Sequence, residues 1–134
     1  MIEQAKRLLD EGGYTCVLCG AGETLTARER GVKPLANWLQ NRASLRGFCA
    51  ADKVVGKATA FLYCMLDVRA VYGRVMSAPA LQVLQDHGIT AQYDILVEHI
   101  INRAGDGICP FEQAVWDVTD PKDAWQRILQ KLNG

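Results

Sequence analysis

Two short strand-like segments near the N-terminus, Tyr14 to Cys19 and Glu23 to Ala27, are separated only by Gly20-Ala21-Gly22. A break that short forces an antiparallel hairpin. Downstream, helix-like and strand-like segments alternate, and parallel strands joined by helices need crossovers. A hairpin followed by crossovers predicts an α/β fold: a mixed sheet with helices on both faces, a three-layer α-β-α sandwich. The chain has 134 residues and no internal repeat, low-complexity tract or linker, so it reads as a single domain over 1–134.

Apolar spacing and turn residues place the individual elements. Ile2, Ala5, Leu8 and Leu9 form a helical face that Gly12-Gly13 ends. Pro34 opens a helix carrying Leu35, Trp38 and Leu39, and Leu45 to Phe48 is expected as a brief extended segment. Asp52 to Asp67 reads as the strongest helix, with Val54, Val55, Ala58, Phe61, Leu62, Met65 and Leu66 on a broad apolar face. Ala70 to Met76 is a strand, Pro79 opens a helix that Gly88 ends, and Ile89 to Tyr93 is another strand. Ile95 to Ile101 is expected to be helical, Asn102 to Gly107 a loop, and Pro110 the start of a short helix. Asp120-Pro121 begins the last helix, with Ala124, Trp125, Ile128, Leu129 and Leu132.

Composition narrows the function classes. Lys+Arg and Asp+Glu are each 15, giving zero formal net charge, which argues against a general polyanion binder and leaves nucleic acid disfavoured but open. The same balance removes self-repulsion, so a homo-oligomer is compatible. No apolar stretch approaches the ~20 residues of a membrane helix, and the first residues lack the pattern of a secretory signal. The five cysteines are scattered and odd in number, which fits reduced thiols in the cytoplasm.

Four blocks carry a resemblance to a known family: Glu29-Arg30-Gly31-Val32-Lys33-Pro34-Leu35, Ala50-Ala51-Asp52-Lys53-Val54-Val55-Gly56-Lys57-Ala58, Ser77-Ala78-Pro79-Ala80-Leu81, and Asn102-Arg103 through Gly107-Ile108-Cys109-Pro110. They resemble the family called domain of unknown function 1893 over about residues 2–115, with a C-terminal helix at about 120–132 beyond. The element order is similar to the cytidine-deaminase-like fold. Working zinc deaminases carry His-x-Glu or Cys-x-Glu at one helix start and Pro-Cys-x-x-Cys at the next. The counterparts here are Ala50-Ala51-Asp52 and Pro79-Ala80-Leu81-Gln82-Val83, so the ligand positions hold Ala50, Ala80 and Val83. None offers a lone pair to a metal, and only Asp52 keeps a carboxylate. A second register puts Cys49 near the first ligand position but supplies neither thiolate of the second motif. The resemblance therefore implies a deaminase-like scaffold without zinc or another cofactor.

Asp52 is the first candidate site residue, read either as a helix cap or as a retained acid/base. Lys53 and Lys57, four apart, are expected to share a helix side and suit an anionic ligand, or to be a solvated pair. Gly56 between them would cost roughly 1 kcal/mol against Ala in a helix. Two helix starts, near Ala51 and Pro79, would offer N–H groups to a phosphate or carboxylate, with Ser77 adding a hydroxyl or simply capping its helix. Arg30 and Lys33 flank Gly31 and are anion contacts or surface charges. Cys109 precedes Pro110 at a helix start, a position that lowers a thiol pKa, and Asn102, Arg103, Asp106 and Glu112 surround it in sequence. Its alternative is a buried structural thiol. Cys16 and Cys19 form a C-x-x-C, but residues three apart on a strand face opposite ways, so no metal site is expected there. His87 and His99 stand alone.

Three functions compete on these residues. One is a metal-free module that binds a nucleotide or similar small anionic ligand through Asp52, Lys53, Lys57, Ser77, Arg30, Asn102 and Arg103. Another is an enzyme with non-zinc chemistry, using Asp52 or Lys53 as acid/base and Cys109 as nucleophile. The third is an oligomeric interaction or regulatory protein with a vestigial pocket.

Overall fold

The computed structural model describes residues 2–29, 31–41, 44–102 and 104–133. Arg30 and Arg103, two of the candidate side chains, lie outside the described residues. The chain runs α1 (Ile2–Gly12), β1 (Cys16–Gly20), β2 (Glu23–Ala27), α2 (Lys33–Asn41), β3 (Cys49–Val55), α3 (Lys57–Leu66), β4 (Ala70–Ser77), α4 (Ala78–Asp86), β5 (Thr90–Val97), α5 (Pro110–Ala114) and α6 (Pro121–Asn133).

The five strands lie in the order β2-β1-β3-β4-β5. β1 is antiparallel to both β2 and β3, and β3, β4 and β5 are parallel. This is the mixed, helix-flanked α/β sheet expected from a hairpin followed by crossovers. The hairpin turns at Ala21 and Gly22, both at positive φ (49° and 74°), the backbone that matches the right-handed twist of the two strands.

One face of the sheet is covered by α1, whose Ala5 and Leu9 pack on Val17, Cys19, Ala51 and Tyr72. The opposite face carries the larger core. Leu18, Ala50, Val71 and Met76 meet Leu35 of α2, Phe61 and Leu62 of α3, and Leu84 of α4. Ala124 and Ile128 of α6 close this layer against α3. Cys16 belongs to the larger core and Cys19 to the smaller, so the C-x-x-C does point to opposite faces. Among the described residues no helix is long and apolar enough to cross a membrane.

Three segments correct the sequence reading. Residues 49–55 are the central strand β3, not the start of a helix; the helix begins at Lys57. β3 carries apolar residues on either side of Asp52 and Lys53, and joined to the buried helix that follows they mimic one long helical face. Gly56 is the break between them, in extended backbone (φ −93°, ψ 178°) as the N-cap of α3. Asp52 is therefore no helix cap, Lys53 and Lys57 do not share a helix side, Gly56 is not a helix-interior glycine, and no helix starts near Ala51. Aligning Ala50-Ala51-Asp52 with a helix start fails for the same reason. Ile95 to Ile101 is not helical either: β5 continues to Val97, and Ile101 then bridges Ile108 across the next loop. Leu45 to Phe48 is a turn, with Gly47 at φ 83°, not an extended segment.

Candidate functional site

At the C-terminal end of β3 the sheet opens into a cavity of about 870 Å³. Its walls come from β3 and the start of α3, the start of α2, and the segment leading into α5. In parallel sheets this is the end where crossovers splay apart and ligands bind. The lining is mostly apolar (Val32, Pro34, Leu35, Val54, Ile100, Phe111) with Glu29, Lys33, Asp52, Lys53, Asn102, Cys109 and Glu112 among the polar groups.

Asp52 stands on this wall because its strand places it opposite Cys16 of β1 and beneath Tyr63 of α3. The Tyr63 hydroxyl donates to Asp52 Oδ2 at 2.7 Å. Cys16 Sγ lies 3.2 Å from Tyr63 Oη, and with the tyrosine proton committed to Asp52 the thiol is the donor. The Val54 N–H reaches Asp52 Oδ1 at 3.3 Å. Burial in this apolar setting raises the Asp52 pKa to about 7, against the smaller opposing effect of the Tyr63 hydrogen bond. Burial, and then the nearby Asp52 charge, push the Cys16 thiol and the Tyr63 phenol well above their usual ranges. The arrangement is a chain of proton-bearing groups ending on a pocket carboxyl poised near neutrality. Replacing Tyr63 by phenylalanine removes the bond that lowers the Asp52 pKa, so its titration should move above 7, by about one unit for a hydrogen bond to a charged group. A carboxyl ¹³C titration reads this directly; an unmoved midpoint would show that Tyr63 is not the partner.

The second buried carboxyl is Glu112, 1% exposed. It accepts from the Lys57 N–H at 2.7 Å and the Ser77 hydroxyl at 2.5 Å on Oε2, and from the Ile100 N–H at 2.6 Å on Oε1. Lys57 opens α3, and Ser77 is the N-cap of α4, its Oγ also accepting from the Ala80 N–H at 3.2 Å. Glu112 thus answers a free N–H at the start of α3 and, through the Ser77 hydroxyl, ties it to the N-cap of α4. Gly56 fits the same junction, since a Cβ there would lie 3.1 Å from Ile100 Cγ1 and 3.2 Å from Glu112 Oε2.

The structure brings Lys33, Asp52, Lys53, Asn102 and Cys109 to one cavity and leaves Lys57 and Ser77 out of its lining. Lys53 is half-buried on the wall, and among the described residues its ammonium has no ion-pair partner. Lys33 pairs at 3.7 Å with Glu29, both largely exposed. Lys57 turns away to donate to the Trp116 carbonyl at 2.6 Å, and burial lowers its pKa. Ser77 is fully buried behind Glu112 and does not line the cavity. Asn102 folds its own loop, accepting from the Gly105 and Asp106 N–H groups and donating to Asp106 Oδ1 at 3.0 Å. Cys109 lines the cavity as N-cap of the five-residue α5, and its side chain makes no capping bond. Among the described residues no cluster of three or more His, Cys, Asp or Glu side chains is placed to hold a metal ion. Sequence reasoning missed Tyr63, Cys16 and Glu112 as site residues. Glu112 follows Pro110 by two positions, where glutamate is an ordinary first-turn residue, so nothing local marked it as buried.

The sequence profile described as Domain of unknown function (DUF1893), TM1506, matches residues 4–132. No curated protein matches the sequence. The crystal structure of a DUF1893 family protein (TM1506) from Thermotoga maritima superposes with a TM-score of 0.89 at 25% identity, covering 96% of this chain and 88% of that one. With profile and architecture agreeing over nearly the whole length, the chain belongs to the DUF1893 family.

Proposed function

We propose that this chain is a metal-free, deaminase-like module that binds a small bipolar ligand of nucleotide size in the β3–α3 cavity. The strand order and the paired helix starts after β3 and β4 support the deaminase-like reading. The residues at those starts do not fit a zinc site. Gly56-Lys57-Ala58 and Ser77-Ala78-Pro79-Ala80 carry no thiolate, imidazole or carboxylate, and the one carboxyl between them, Glu112, is consumed by three donors.

The observation that carries the ligand reading is the pairing, on one wall, of Lys53, which has no ion-pair partner among the described residues, and Asp52, whose pKa is raised to about 7. A half-buried ammonium without a counter-ion is costly unless something else supplies one. An anionic group cannot sit deep, where Asp52 and Glu112 already are, so it belongs at Lys53 and the exposed Lys33, with a donor-bearing head turned to Asp52. Calorimetric titration with nucleosides, nucleotides and sugar phosphates tests this. Saturable binding that Lys53→Ala weakens at least about tenfold is expected, the loss of one charge-assisted contact. Silence across the panel at millimolar ligand would overturn it.

A second reading rests on Asp52 alone: a carboxyl with a pKa of about 7 on a cavity wall is suited to general acid–base catalysis near neutral pH. Turnover of any bound ligand, abolished in Asp52→Asn with binding retained, would favour this reading over binding alone.

A further inference from the structure

Among the described residues β5 ends the sheet, pairing with β4 on one side only. Its outer side therefore presents a row of unpaired backbone N–H and C=O groups along eight residues, about 27 Å of strand. The side chains along this edge are unusually apolar: Ile95 is 55% exposed, Tyr93 42% and Leu96 42%. The opposite edge differs, with Glu23, Thr24 and Thr26 exposed on β2. Edge strands left to water are normally protected by charged side chains, proline or a bulge, and β5 contains no lysine or proline and a single charge, Asp94.

We propose that β5 pairs with β5 of a second copy of this chain, antiparallel about a two-fold axis at Ile95, joining the two sheets into one. The chemistry of a free edge asks for another extended strand, and the charges along β5 indicate which. In a two-fold antiparallel pair, facing residues lie on the same side of the sheet and at equal distances from the axis. An axis at Asp94 sets that carboxylate against its own copy, and an axis at Leu96 sets Asp94 against Glu98; like charges directly opposite destabilise a sheet. An axis at Tyr93 avoids this but spends Ile95 on Ala91. The axis at Ile95 places Ile95, the most exposed apolar side chain of the strand, on itself and Tyr93 on Val97, sets Asp94 beside Leu96, and opposes no like charges. Asp94 is already engaged, accepting from the Tyr72 hydroxyl at 2.5 Å. With 15 basic and 15 acidic residues, no net charge keeps two copies apart.

Sedimentation velocity of the full chain at micromolar concentrations tests the proposal, with Ile95→Lys and Ile95→Cys as variants. Wild type is expected to sediment as a dimer, and Ile95→Lys as a folded monomer with an unchanged circular dichroism spectrum. Ile95→Cys is expected to form, under mild oxidation, a covalent dimer linked through the two introduced thiols, because directly opposed strand residues lie within disulfide range. Peptide mapping distinguishes that link from one through the native cysteines. A monomeric wild type overturns the proposal and leaves the edge to a strand of another protein. A dimer that survives Ile95→Lys, or an Ile95→Cys dimer linked only through other thiols, overturns it as well.

Discussion

Replacing Glu112 by alanine is expected to destabilise the fold by about 3–5 kcal/mol, because it strands three buried donors at once. The Lys57 and Ile100 N–H groups and the Ser77 hydroxyl would face an apolar void where the carboxyl had been. For a chain of this length the loss corresponds to roughly 10–18 °C in melting temperature. Glu112→Gln keeps the shape but turns an amide NH₂ toward one of the donors, so a smaller loss of about 1–3 kcal/mol is expected. The void in Glu112→Ala is sized for a small carboxylate, and acetate should restore part of the melting temperature relative to chloride at equal ionic strength. A melting temperature within a few degrees of wild type in Glu112→Ala would mean that water or a shifted α5 satisfies these donors unaided.

That internal carboxyl also explains why the site was only half legible in the sequence. Of the two expected helix starts, the one at Ser77 is present and Ser77 caps it, whereas the one near Ala51 is a strand that carries Asp52. What the residues could not reveal was that the anion is already present, delivered from α5 by a chain that has travelled 35 residues beyond Ser77. Long-range pairing of this kind leaves no trace in spacing. Tyr63 was hidden differently: it sits among apolar residues of a buried helix, where a tyrosine reads as packing, and only the register of β3 beneath it brings its hydroxyl to Asp52.

The fold was easier, since the hairpin and its glycine turn, the proline-started helices and the alternation after them are local signals with local causes. Two of the three corrected segments fall where local cause is weakest. Ala50 to Val55 is apolar on both sides of Asp52 and Lys53 and Ile95 to Val97 is apolar throughout, and neither has a turn residue within it to tell a strand from a helix. In the first, Gly56 was the true boundary; its meaning as an extended cap pressed against Ile100 and Glu112 requires the tertiary structure. The misreading carried a functional cost, because it put Lys53 and Lys57 on one surface. In the fold they part at Gly56, Lys53 toward the cavity and Lys57 toward the Trp116 carbonyl.

Asp52→Asn should make the protein more stable at alkaline pH and no different near about pH 4, and this opposite pH dependence is the sharpest test of the candidate site. The folded-state pKa of about 7 lies above the value of 3.8 expected when the side chain is free in the unfolded chain. Between those values the native state binds a proton that the unfolded state does not, so stability falls as pH rises from about 4 to about 7 and is level beyond. At pH above 7 the wild type carries an ionised carboxylate in an apolar wall, relieved by the Tyr63 hydroxyl and, less, by the Val54 N–H, the Cys16 thiol and the Lys53 backbone. Asparagine carries no charge to desolvate and can still accept from the Tyr63 hydroxyl. With Asp52 partly open to the cavity, the expected gain is roughly 2–4 kcal/mol at alkaline pH, shrinking to nothing as both proteins reach about pH 4. Denaturant melts of the two proteins across this range isolate the effect, since every other titrating group is common to both. A pH-independent difference would place Asp52 in water and remove the ground for a recognition or proton-transfer role. A variant that gains stability with rising pH yet loses ligand binding would mean that the fold tolerates this buried carboxyl at a cost because the cavity uses it.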